Sequence, residues 1–264
     1  MTRLLNAGAL IALIPLCLPL PAAAHEGLVF PNRAACLDRA ADLPDFAFEE
    51  AKLWERQGGG ADARLCQALS LLLRGDWELA APALEASAAE LTRDSVPSRA
   101  NLLSRAGMAW TNAHKPQQAE AAYGKALDLM PRDTQILMDR AIARAGMEHY
   151  WEAIEDLNRV VDLAPKMAEA WLLRAQAHHV LALDAKSMVD VEEALRLSPQ
   201  NGEALLLRGN LRAAKSDALH AKQDWEAVRR VAAGTPAAAI ALQNLNALDR
   251  AQTEQKRELK KKEK

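Results

Sequence analysis

The feature that most constrains this chain is a period. Pro131, Pro165 and Pro199 stand 34 residues apart, each closing a short run of alternating apolar and charged residues: Leu-Asp-Leu-Met-Pro, Val-Asp-Leu-Ala-Pro and Leu-Arg-Leu-Ser-Pro. Ala119, Ala153, Ser187 and Ala221 recur with the same step, and so do Gly107, Ala141, Ala175 and Gly209. Three independent series at one spacing identify a repeated supersecondary unit. Each unit reads as two helices joined by a short turn, with small residues where the helices cross and a proline that stops the second helix. One such hairpin cannot hide its apolar side, so neighbouring hairpins must stack.

Composition agrees with helices. Of 264 residues, 50% are hydrophobic, 26% are charged and 4% are aromatic, and the net charge is −2. That is too apolar for a disordered chain and too balanced for a protein that binds nucleic acid through bulk charge. Alanine, the strongest helix former, is abundant, and 12 glycines and 12 prolines are too few for a β-rich or collagen-like chain.

The residues inside the period resemble the tetratricopeptide repeat (TPR) family. Unit 100–133 supplies Leu103, Gly107, Trp110, Ala119, Tyr123, Ala126 and Pro131. Unit 134–167 supplies Leu137, Ala141, Tyr150, Ala153 and Pro165, with Val160 where the pattern has alanine. Unit 168–201 supplies Trp171, Ala175, Ala194 and Pro199, with Ser187 for alanine. Unit 202–235 supplies Leu205, Gly209, Ala221, Trp225 and Val228 and has lost its proline. An earlier unit, 61–94, fits through Ala68, Gly75-Asp76-Trp77 and Ala80, with an insertion of about five residues near Arg93–Ser98 before the next. The resemblance implies an all-α fold: a right-handed α-solenoid of TPR-like hairpins, capped by helices in 25–60 and 236–264.

It also implies a protein- or peptide-binding scaffold or adaptor rather than an enzyme, working through its concave face. The residues placed there are Asn101, Met108, Asn112, Gln135, Met138, Ile142, Leu172, Gln176, His179, Leu206 and Asn210. No lysine stands at these positions, which argues against the carboxylate clamp of chaperone-binding members. The residues form instead an apolar stripe with amide edges, suited to an extended or helical peptide. The competing expectation is that several of them only pack against neighbouring helices.

A second correlation is internal. Repeat position 7 is Arg140, Arg174 and Arg208 in the last three units, where position 23 is Asp156, Asp190 and Asp224. In the two earlier units both positions are neutral, Gln67 with Ala83 and Ala106 with Ala122. Arginine and aspartate come and go together, which predicts a bidentate pair joining the two helices of one unit.

The ends read differently. Residues 1–24 carry one cation, an apolar run from Leu4 to about Leu20, and Ala22 and Ala24 in a small-x-small arrangement, the pattern of a cleaved signal peptide. The expectation is export to the periplasm or beyond, with processing at Ala24/His25; a retained membrane anchor is the alternative. Cys17 leaves with the leader, and Cys36 and Cys66 remain as an even pair expected to form a structural disulfide, a reactive thiol being the other reading. The segment from Glu254 to Lys264 is read as a solvated tail, or else as a basic contact for an anionic membrane or cell-wall surface.

No phosphate-binding loop, nucleophile elbow or His-Glu-x-x-His motif is present, so no catalytic residue and no cofactor is expected. His178 and His179 are adjacent on a helix and point about 100° apart, which prevents joint chelation. His114, His149 and His220 fall near turns. An N-terminal copper site at a processed His25 lacks a second imidazole in sequence reach, so no metal is expected.

Overall fold

The computed structural model describes residues 30–262. The expected leader, Cys17 and the Ala24/His25 processing point lie outside the described residues. Within them thirteen α-helices follow one another: α1 (Arg33–Asp42), α2 (Pro44–Trp54), α3 (Gly60–Arg74), α4 (Trp77–Glu90), α5 (Val96–Asn112), α6 (Pro116–Leu129), α7 (Thr134–Gly146), α8 (Tyr150–Leu163), α9 (Ala168–Val180), α10 (Asp184–Leu197), α11 (Gly202–Ala214), α12 (Ala218–Val231) and α13 (Pro236–Lys262). Each packs mainly on its neighbours in sequence, and α5, α7 and α9 also approach one another. The first helices of the hairpins therefore share the inner side of an α-solenoid, with the second helices outside.

The hairpin turns show how closely backbone follows sequence period. His114, Glu148, Ala182 and Ser216 all lie in the left-handed region, at φ 57°, 63°, 56° and 61°, and they are spaced by the same step as the prolines. Gly75, at φ 80°, does the same job in the first hairpin. Two residues in the first turn and three in each of the others suffice because the next amide reaches back over the helix end. Asp76 bonds to Leu71 O, Lys115 to Trp110 O, His149 to Arg144 O, Leu183 to His178 O and Asp217 to Arg212 O, at 2.8–3.0 Å. This is the C-terminal closure that a left-handed residue makes available. Side chains begin the next units: Asp133 accepts from the amides of Gln135 and Ile136, and Asn201 from that of Ala204.

Within each hairpin the crossing is set by the small residues. Ala80, Ala119, Ala153, Ser187 and Ala221 are wholly buried. Ser187 keeps its place among alanines because its hydroxyl donates to Ala175 O at 2.8 Å. A Cβ added at Gly107 would lie 2.6 Å from the Tyr123 ring, and one at Gly209 would lie 2.7 Å from Trp225. Glycine there lets an aromatic ring of the second helix lie directly on the first.

The end segments cover the stack. α1 and α2 fold over α3, held by the Cys36–Cys66 disulfide, an edge-on Phe30–Trp54 contact and Arg33, which bridges Asp62 and Asp94. At the other end α13 lays Ala237, Ala241 and Leu245 against α11 and α12. From Asp249 to Leu259 every side chain of α13 is exposed. No helix of the described residues is long and apolar enough to cross a membrane.

Candidate functional site: the concave groove

The inner face is built from α5, α7 and α9, bounded by α1 and α3 at one end and by α13 at the other. Residues three or four apart on a helix share a face, so one row of positions per helix should point inward. The structure divides the residues assigned to that row. Asn101, Met108, Asn112, Gln135, Ile142 and His179 are exposed, and Gln176 is half-buried. Met138, Leu172 and Leu206 are buried, with 4%, 7% and 7% of their surface accessible, and they pack between successive hairpins. For these three the packing role holds instead of a ligand-facing one. The reason is angular for Met138 and Leu172: the next residue, about 100° further round the helix, is only half-buried and faces the groove in their stead, whereas Leu207, next to Leu206, is buried as well. That neighbouring row includes Arg105, which is exposed, and Asp139 and Leu173, which are half-buried.

Asn210 also leaves the set. Its Oδ1 accepts from Trp225 Nε1 at 3.0 Å and from Asn244 Nδ2 of α13 at 2.9 Å. The terminal helix thus closes the last unit of the groove. Asn112 turns its amide onto Met108 O of its own helix at 3.0 Å, and His179 pairs with Asp184 at 2.9 Å.

What stays open has two parts. Between α7, α8 and α9 lies an apolar cavity of about 250 Å³, lined by Ile142, Ala145, Tyr150, Leu157, Leu173 and Val180 among others. Nearer the N-terminal end a wider recess of about 670 Å³ runs between α1, α3 and α5, floored by Leu37, Leu65, Leu69 and Leu73, with Asn101 and Arg105 on its edge.

The electrostatics of the groove centre on Asp139. Its carboxylate accepts one hydrogen bond, from Gln135 Nε2 at 2.9 Å. Burial holds its pKa above the usual carboxylate range, reinforced by Asp133 and Glu169 and only partly offset by Gln135. Exposed Glu169 on α9 and Glu203 on α11 continue the acidic row. No Asp139, Glu169 or Glu203 carboxylate is in an ion pair among the described residues.

Away from the groove, the arginine–aspartate pairs are in place. Arg140 Nε and Nη2 donate to Asp156 at 2.8 and 2.7 Å, Arg174 to Asp190 at 3.0 and 2.6 Å, and Arg208 to Asp224 at 3.0 and 2.7 Å. Each aspartate has a further partner that sequence reasoning missed: Arg144 for Asp156 at 2.8 Å, His178 for Asp190 at 2.9 Å and Arg212 for Asp224 at 2.7 Å. The signal was present, since Arg144, His178 and Arg212 are themselves 34 residues apart. His178 is 6% accessible, and burial pushes its pKa below the usual histidine value against the opposing pull of Asp190.

Trp151 is 58% exposed on the outer face, beside Val189 in a shallow recess. Among the described residues, no three His, Cys, Asp or Glu side chains are grouped as metal ligands.

No family model matches the chain, and no curated protein sequence matches it. Solved structures do. MamA of Desulfovibrio magneticus RS-1, from residue 41 to its end, superposes with a TM-score of 0.60 at 22% identity, covering 68% of this chain and 98% of that one. The C-terminal part of a TPR repeat-containing protein from Cytophaga hutchinsonii gives a TM-score of 0.65 at 14% identity, covering 81% and 88%. YrrB, described as a TPR protein with an unusual peptide-binding site, gives 0.57 at 15% identity, covering 70% and 92%. Hairpin order, turn geometry and these superpositions agree: the chain folds as a tetratricopeptide-repeat α-solenoid.

Proposed function

We propose that this protein is a non-enzymatic scaffold that binds a protein or peptide partner along its concave face, in the periplasm. The observation that carries the reading is the open apolar cavity between α7 and α9, with the Gln176 amide among its lining residues, left uncovered while both ends of the solenoid are capped. A groove of this kind suits side chains presented at helical or extended spacing. YrrB, with the same fold, has a peptide-binding site, which supports the reading by analogy. The leader-like first 24 residues and the Cys36–Cys66 bond support an oxidising compartment.

The test is partner capture from the cell envelope by a tagged chain. Met108→Glu with Ile142→Glu changes only exposed groove side chains, and Leu219→Glu on the outer face is the control. The reading expects the groove variant to lose partners that wild type and control retain. Identical recovery by all three contradicts it. Recovery with membranes or cell wall, abolished by deleting Gln255–Lys264, favours the second reading, an envelope-associated structural factor held by its tail.

A further inference from the structure

The last part of α13 is unexplained by the fold. Leu248 is the last residue packed on the solenoid core, and Lys222–Asp249, at 3.3 Å, is the last ion pair to it. Beyond lie three further turns with every described side chain exposed. They are cationic at Arg250, Lys256, Arg257, Lys261 and Lys262, anionic at Glu254 and Glu258, and carry one exposed aliphatic residue, Leu259. A short polar helix standing alone is marginal in water unless another surface takes it up.

The groove shows the complementary arrangement. Asp139 precedes Ile142 by one turn on α7, and Glu169 precedes Leu173 by one turn on α9. Carboxylates without ion-pair partners thus lie about 5 Å along the helix axis from the apolar cavity. On the tail, Lys256 and Lys262 flank Leu259 by three residues each way, also about one turn. Sign and size match: the cavity of about 250 Å³ has room for a leucine side chain. Each lysine stem is long enough to reach a carboxylate one turn from the cavity. The same molecule's tail cannot use the site. α13 is one continuous helix whose first half is fixed on α11 and α12, and its exposed turns run on past them.

We propose that the C-terminal end of α13 from a second copy of this chain docks between α7 and α9, with Leu259 beside Ile142 and Leu173 and its flanking lysines against Asp139 and Glu169. This names the occupant of the groove and rests on reading the concave face as a docking surface. Head-to-tail contact of this kind does not close on itself, so it builds chains of copies rather than a fixed dimer.

Sedimentation velocity on the purified full chain, over a range of concentrations and salt, tests it. Wild type should self-associate, less so as salt rises. Lys256→Glu with Lys262→Glu, and separately Asp139→Lys with Glu169→Lys, should each weaken association by about tenfold or more. Lys256, Lys262 and Glu169 are exposed and Asp139 is half-buried, so far-ultraviolet circular dichroism on each variant separates lost association from lost fold, and Glu169→Lys alone, at an exposed site, should already weaken association. Combining the four substitutions in one chain, which swaps the charges, should restore association. A monomeric wild type, or association untouched by either reversal, overturns the proposal. A wild type that stays monomeric while its tail binds vesicles of anionic phospholipid likewise overturns it and assigns the tail to lipid. If self-association fails while Met108→Glu with Ile142→Glu still abolishes partner capture, the concave reading stands and only this occupant is wrong.

Discussion

Arg140 and Asp156 close a two-pronged ion pair across the α7–α8 hairpin, and the carboxylate at its centre is 2% accessible. The same pair recurs one and two units later, each time with a further donor one turn along the first helix. Asp156 receives three charge-assisted hydrogen bonds from two guanidinium groups, which fixes the angle between helices more narrowly than apolar packing does.

Removing that carboxylate leaves two arginines facing a buried gap. Asp156→Ala is expected to cost about 3–5 kcal/mol, read from urea denaturation. Glu155, on the exposed side of α8, should cost less than about 0.5 kcal/mol on change to alanine. A loss at Asp156 no greater than at Glu155 would show that the pair contributes nothing net.

His178 stands where the other two triads have arginine, and it faces Asp190 from its own hairpin, with Arg174 and Lys186 the nearby cations. Its folded pKa lies below the unfolded value near 6.5, so the unfolded chain takes up a proton first as pH falls. The stability it contributes is complete above that value and is lost on acidification below it. The urea midpoint should therefore fall more steeply between neutral and mildly acidic pH in wild type than in His178→Arg. Equal slopes would contradict this.

Ser70 is wholly buried, and its hydroxyl has no hydrogen-bond partner among the described residues. The corresponding residues of the next three units are Ala109, Ala143 and Ala177. Ser70→Ala should raise stability by about 1 kcal/mol, measured by thermal unfolding. A decrease would show that the hydroxyl is satisfied in solution.

The Cys36–Cys66 bond ties α1 to α3 across 30 residues of chain. Replacing both cysteines by serine should cost about 3.5 kcal/mol by the loop-entropy argument. Hydrogen exchange should localise the loss to α1 and α2, leaving α5 to α12 protected. Uniform loss across the repeats would show that the cap and the solenoid unfold as one unit.

Much of this fold could be read from spacing. The Pro131/Pro165/Pro199 step, the buried alanines and the covarying Arg–Asp positions are one-dimensional facts that a stacked repeat turns into contacts. The groove was less legible because facing depends on rotation. Met138 and Asp139 are neighbours in sequence, yet Met138 wedges between hairpins while Asp139 faces the groove, a difference of about 100° that a tabulated position does not carry. Asn210 was missed for another reason: α13, which covers it, has no counterpart inside the period. Likewise, the additional donor to each aspartate followed the 34-residue step but changed from arginine to histidine at 178, which obscured a shared role.

The central claim is that the hollow of the solenoid is its working surface. Site-specific photocrosslinking in cells tests it most directly, with the reactive group placed at Ile142 or Gln176 inside and at Val189 or Leu219 outside. The account predicts discrete adducts from the two inner sites and none from the outer pair. Adducts from Val189 and Leu219, with Ile142 and Gln176 silent, would contradict it.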